Sequence, residues 1–356
     1  MRNIRRLPAL ALAGLLVGAA APPASASAAG KTTRTAASSS ATTSKHRVAA
    51  HRVTATVRRA RASAPRISLR GLLTPHQLPV IYSFPVAAAA GMLTPESPPP
   101  GANNWNCVPS AAHPYPVVLV HGTFENMIIN WNALSPLLVN NGYCVFAANF
   151  GGKGVLPIKA LKPIATSAAE LGVFVDNVLS ATGAQKVDMV GHSQGGMMPR
   201  QYLKFEGGVS KVHTLVGLSP SNHGTSASHL KTLIDLIPGA TAALNGALDK
   251  TCEACNDQFT GSDPLTALNA GGDTFASVSY TVIATKHDQV ITPYTSSFLS
   301  GRDVTNITVQ DGCAIDLSEH VAISYDRRAL TYVLNALDPD HPQSPPCGPV
   351  APLVGG

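Results

Sequence analysis

No acidic residue precedes Glu96, and residues 29–70 also lack any aromatic side chain. A segment built almost wholly from Ala, Thr, Ser and Arg cannot bury enough apolar surface to offset its ordering entropy. Residues 29–74 are therefore expected to be disordered: a spacer, a pro-region, or a tether to an anionic cell envelope. Charge is scarce overall. Asp, Glu, Lys and Arg make up 13% of the 356 residues, against 45% hydrophobic, so material for a large core is present. The formal charge of +6 misleads. Thirteen of the 26 Lys and Arg fall in residues 1–70, which leaves 13 basic residues against 20 acidic ones, about −7, in the remainder. A nucleic-acid partner is excluded on that balance. Beyond the first residues no run of eighteen apolar residues occurs, so no transmembrane segment is expected.

The amino end carries Arg2, Arg5 and Arg6, then an apolar run from Leu7 to Ala21. Small-residue cleavage sites follow at Ala24-Ser25-Ala26 and Ala26-Ser27-Ala28. Residues 1–28 read as a secretory signal peptide, and the mature chain is expected to be extracellular. All six cysteines (Cys107, Cys144, Cys252, Cys255, Cys313 and Cys347) lie beyond it, and an even number in an exported chain implies disulfides. Six cysteines allow fifteen pairings and the sequence does not choose among them. The sequential set Cys107–Cys144, Cys252–Cys255 and Cys313–Cys347 is the working guess. Cys252-Glu-Ala-Cys255 has the spacing of a redox or zinc motif. No second such pair and no histidine pair completes a zinc site, so a tight structural bridge is the better reading.

From Tyr115 the patterning changes. Short β-branched or apolar runs at 116–120, 143–150, 186–190, 213–218, 279–285 and 304–309 read as strands. Between them, helical spacing appears at 130–141 (Trp131, Leu134, Leu137, Leu138) and 166–182 (Leu171, Phe174, Val175, Val178, Leu179). Further helices are expected at 195–205 and at 319–337. Alternating strands and helices make a three-layer α/β fold with a mostly parallel central sheet flanked by helices. One domain over residues 75–350 is the economical division. The stretch 227–248, between the fourth and fifth strands, is mildly amphipathic and reads either as a lid or pocket wall or as ordinary packing helices.

The third strand runs into Val190-Gly-His-Ser-Gln-Gly-Gly196, whose centre is G-x-S-x-G, and a helix follows. Strand, tight turn and helix are the context that makes Ser193 a candidate nucleophile. Gly191 and Gly195 flank the serine where side chains would collide with neighbouring elements. A serine needs a base, and the base an orienting acid, following in the order acid, then histidine. His320, after the last strand and opening the last helix, is the candidate base. Asp288, just past the strand YTVIAT, is the candidate acid. His287 is read as a neighbour of that acid and Asp316 as a structural carboxylate near the histidine loop. An oxyanion needs backbone donors. Gln194 supplies one, through its N–H alone, so its side chain need not matter. Thr123 in His121-Gly-Thr-Phe124 supplies the second, with Phe124 the alternative, while His121 braces the loop.

LVHGTF, VGHSQGG, LSPSNHGT, KHDQVITPY and EHVAISYD together resemble the secreted bacterial triacylglycerol lipases and esterases of the α/β-hydrolase superfamily, over about residues 103–347. The resemblance implies a triad of Ser193, Asp288 and His320, with the backbone N–H groups of Thr123 and Gln194 as the oxyanion hole. It implies hydrolysis of carboxylic esters through an acyl-serine, with no cofactor. The partner expected is an apolar acyl ester, met at a lipid interface by a monomer. Some relatives hold a structural calcium near the histidine loop; no ligand set is assigned here. An acyltransferase or a polyester or cutin hydrolase would use the same triad, and a non-catalytic envelope-binding protein is the alternative of another class.

Overall fold

The computed structural model of the chain describes residues 77–152, 156–237 and 251–356. The signal-peptide and basic-segment readings, and residues 238–248 of the amphipathic stretch, lie outside these. Nine helices and six strands alternate among the described residues: α1 (Phe84–Leu93), β1 (Val117–Val120), α2 (Met127–Trp131), α3 (Leu134–Asn140), β2 (Val145–Ala148), α4 (Ile164–Thr182), β3 (Val187–His192), α5 (Gln194–Phe205), β4 (Val212–Leu218), α6 (Ala227–Leu236), α7 (Glu253–Asp257), α8 (Asp263–Asn269), β5 (Ser279–Ala284), β6 (Val304–Thr308) and α9 (Arg327–Leu337). The strands pair in the order β2-β1-β3-β4-β5-β6, every pair parallel, as expected for an α/β-hydrolase sheet.

Burial explains why these runs are strands. Every residue of β1 and β3 is buried, which a strand covered by helices on both faces requires. Each buried Val or Leu there contributes roughly 1.5–3 kcal/mol of transfer free energy. Topology then sets the site. From β1 the chain goes to β2 on one side, while β3 and everything after it builds on the other. Val120 at the end of β1 stands opposite Gly191 in β3. At such a switch point the loops leaving two neighbouring strands diverge and open a crevice.

Several elements differ from the sequence reading, among them α7 and α8, which it does not contain. The single helix expected over 130–141 is two, α2 and α3. Pro136 cannot donate to the Asn132 carbonyl, so the hydrogen-bond ladder breaks there. The last helix does not begin at His320. That residue lies in a loop ahead of a 3-10 turn at Ala322–Tyr325, and α9 starts after Asp326, whose side chain caps the Arg328 N–H. α1 has no counterpart in the expected elements, its apolar run PVAAAAGML carrying no helical periodicity. It is tied to the carboxyl end by a hydrogen bond from Phe84 N–H to the Val354 carbonyl at 2.8 Å.

The three disulfides are Cys107–Cys144, Cys252–Cys255 and Cys313–Cys347. Among the described residues no helix is long and apolar enough to cross a membrane.

Candidate active site

β3 ends at His192, and Ser193 turns the chain with φ 54° and ψ −122° before α5 begins at Gln194. A positive φ in a non-glycine residue stores strain, which persists only where neighbours enforce it. Here they do. A Cβ on Gly191 would strike the Gly195 carbonyl, and one on Gly195 would strike the Val120 carbonyl of β1. Two glycines thus let the elbow close against the adjoining strand. The Ser193 N–H is held by the Leu218 carbonyl of β4 at 2.9 Å, which fixes the turn from the other side.

The loops after β5 and β6 bring Asp288 and His320 to this turn. His320 Nε2 lies 3.0 Å from Ser193 Oγ, and His320 Nδ1 lies 2.9 Å from Asp288 Oδ2. The other carboxylate oxygen, Oδ1, accepts the Val290 and Ile291 N–H groups at 2.8 and 2.7 Å, so the acid's orientation is set by its own loop. His320 is fully buried and Ser193 nearly so. Glu319, the residue before the histidine, ties the loop down. Its Oε2 accepts from Val321 N–H and Gln289 Nε2, and its Oε1 from Ala322 N–H and from Leu353 N–H in the tail at 3.0 Å.

On the opposite side of Ser193 stands the loop after β1. The Phe124 N–H donates to the Lys159 carbonyl at 3.1 Å, which removes it from use. Thr123 and Gln194 N–H groups make no hydrogen bond among the described residues, the latter because it opens a helix. The Gln194 side chain is held in this loop: its Oε1 accepts from Thr123 Oγ1 at 2.6 Å. Gln258, which follows α7, donates to the same threonine oxygen at 3.0 Å and accepts from Ser221 Oγ at 2.8 Å. A buried set of two glutamines and two hydroxyls thereby fixes the Thr123 side chain. Gln258 carries no local signal in the sequence, standing 64 residues further along the chain than Gln194.

His121 braces its loop as expected. Its Nδ1 donates to the Gly122 carbonyl at 2.9 Å, Nε2 accepts from Phe150 N–H, and the ring stacks on Phe150. Burial pushes its pKa down to about 4, so the ring stays neutral. His287 follows Thr285, whose hydroxyl accepts the His287 N–H, and it makes no contact with the serine. Asp316 is fully buried near the histidine loop, as a structural carboxylate. Two residues absent from the sequence reading, Glu125 and His192, lie beneath the site. Glu125 had a signal: it is the only Asp, Glu, Lys or Arg between Glu96 and Lys153. Among the described residues no group of three or more His, Cys, Asp and Glu side chains gathers as a metal ion requires.

The model of the family "Lipase (class 2)" matches residues 114–331. The chain is 36% identical over 122 residues to a triacylglycerol lipase of Burkholderia plantarii, covering 33% of this chain and 32% of that protein. It is 37% identical over 95 residues to a triacylglycerol lipase of Pseudarthrobacter phenanthrenivorans, covering 25% of this chain and 28% of the other. The chain thus spans about a third or less of the length of the curated relatives it matches. Aspergillus fumigatus lipase B shares the fold, with a TM-score of 0.53 at 19% identity over 70% of this chain and 57% of that one. With 218 consecutive residues matched, from just before β1 into α9, the chain belongs to the class 2 lipase family.

Proposed function

We propose that the protein is a secreted serine hydrolase that cleaves carboxylic esters of lipid type through an acyl-serine intermediate. The observation that carries the reading is the unbroken contact chain from Ser193 Oγ to His320 Nε2 and from His320 Nδ1 to Asp288. In the first step Ser193 Oγ attacks the ester carbonyl carbon as its proton passes to His320 Nε2. Asp288 keeps the ring oriented and stabilises the imidazolium. The oxygen of the tetrahedral intermediate accepts the N–H groups of Thr123 and Gln194, a donor being worth roughly 3–4 kcal/mol to the transition state. The positive end of α5 points at the same oxygen. Collapse expels the alcohol, which takes the proton from His320. Water then repeats the sequence on the acyl-serine and frees the acid. Triacylglycerol as substrate is supported by the names of the two relatives, and export by the basic-apolar amino end together with three disulfides.

Ser193→Ala is expected to lower kcat on a soluble nitrophenyl ester by roughly 10⁵- to 10⁶-fold with the circular dichroism spectrum and melting temperature retained. Turnover within tenfold of the wild type in a folded variant would overturn the assignment.

A further inference from the structure

Two buried groups take no part in the proton path described above. Glu125, in the loop after β1, and His192, the last residue of β3, have side chains only 1% exposed and meet at 3.0 Å between Oε2 and Nδ1. The contacts fix the protonation state of the ring. His192 Nε2 lies 2.7 Å from the main-chain carbonyl of His320, which can only accept, so Nε2 carries a proton. Nδ1 faces a carboxylate oxygen, which also accepts, so it carries one too. The Asn130 amide nitrogen lies 3.2 Å from Nδ1 and donates one proton to Ser324 Oγ at 3.1 Å, while Asn130 Oδ1 accepts the Gly122 N–H at 2.9 Å. Glu125 Oε2 accepts that same Gly122 N–H at 3.0 Å. Burial works against a charge on His192, but Glu125, the His320 carbonyl and Asp288 together outweigh it, and the pKa of the ring is raised.

We propose that Glu125 and His192 are positioning residues, a buried ion pair that holds the base and the oxyanion loop in one frame. His192 grips the backbone of His320 from below, and Glu125 grips the backbone of the residue before Thr123. Neither touches substrate. This rests on the reading of Ser193 and His320 given above. Without the pair, the carbonyl of His320 and the N–H of Gly122 lose charged partners in a dry interior, where such hydrogen bonds are strongest. The two histidine ring centroids are 5.0 Å apart. The other ionisable groups around the pair are Asp288, whose charge acts on His192, His121 on the β1 side, and Tyr325 from the 3-10 turn, within range of Glu125.

The test is the pair of variants Glu125→Gln and His192→Gln together with the double variant. Each single variant is expected to lower kcat on a soluble ester on the order of 10- to 100-fold with KM within about twofold, as a shift of under an ångström in a catalytic group would. The double variant should be no worse than the worse single, since the two act as a unit. Nitrogen NMR of the wild type should show one histidine with both ring nitrogens protonated at pH 8, a signal lost in His192→Gln. A merely structural role would lower the melting temperature and the fraction labelled by a fluorophosphonate while leaving kcat per labelled site unchanged, and that outcome overturns the proposal. If Glu125→Gln does not fold, the absence of a doubly protonated histidine in the wild type overturns it alone. Failure of the functional reading is separate: it shows as a wild type whose ester turnover survives Ser193→Ala.

Discussion

Asp326 caps α9 from a buried position close to Asp316, and the two carboxyl groups set a pH dependence at a single residue. Burial first, then the charge of Asp316, raises the pKa of Asp326 to about 7. The folded chain therefore binds a proton that the unfolded chain, with a carboxyl pKa of about 4, has released. Stability from this group is complete below the unfolded value and is lost as pH rises from about 4 to about 7. Asp326→Asn keeps the capping oxygen for the Arg328 N–H and removes the titration. Urea unfolding across that window should give a flatter profile for the variant than for the wild type; parallel profiles would refute the assignment. Residues of this kind are hard to see in a sequence. Ser193, Asp288 and His320 are legible because each sits in a local context that its chemistry demands. Gln258 and Asp326 act through contacts made only after folding, and Asp316, legible as a structural carboxylate, does not announce its partner. Glu125 lies between: a lone charge in an apolar stretch is visible, its partner is not.

Among the elements, α7 does more than its five residues suggest. Asp257 at its end accepts the Ile164 N–H that opens α4, at 2.8 Å, and Gln258 beyond it reaches Thr123. The Cys252–Cys255 bridge closes the start of this short helix, with a sequence separation of only 3. A loop so small adds only about 1–2 kcal/mol by chain entropy. Replacing both cysteines by serine is therefore expected to lower the melting temperature slightly but kcat on a soluble ester roughly tenfold, through a loosened Thr123. A variant with wild-type kcat would show that Gln258 is placed without the bridge. Element boundaries in the sequence failed where one residue overrode a periodic pattern. Pro136 divides an apolar helix stripe, and Asp326 rather than the run around His320 starts α9. α1 fails for the opposite reason, since an even run of Ala and Val offers no face to read. The six strands, by contrast, are announced by β-branched runs that only a doubly covered sheet accommodates.

At the scale of the molecule, the parallel sheet with its reversal beside β1 brings four separate loops to one edge. The carboxyl end of the chain then straps one of them. Leu353 N–H reaches Glu319, Gly356 N–H reaches the Tyr325 carbonyl, and Cys347 joins Cys313. With 34 residues separating its cysteines, this bridge is expected to contribute about 3–4 kcal/mol. Cys313→Ser with Cys347→Ser should lose that much in denaturant titration, and heat inactivation should quicken with it, because the freed tail no longer braces the histidine loop. Unchanged inactivation rates would mean that the backbone contacts of the tail suffice. The order of the three bridges along the chain carries one more implication. No bridge encloses or crosses another, so a chain emerging amino end first always offers each new even-numbered cysteine its native partner as the nearest unpaired thiol. Correct pairing then follows from the order of appearance, and a scrambled refold from the fully reduced chain, where all six thiols compete at once, is the harder route to the same molecule.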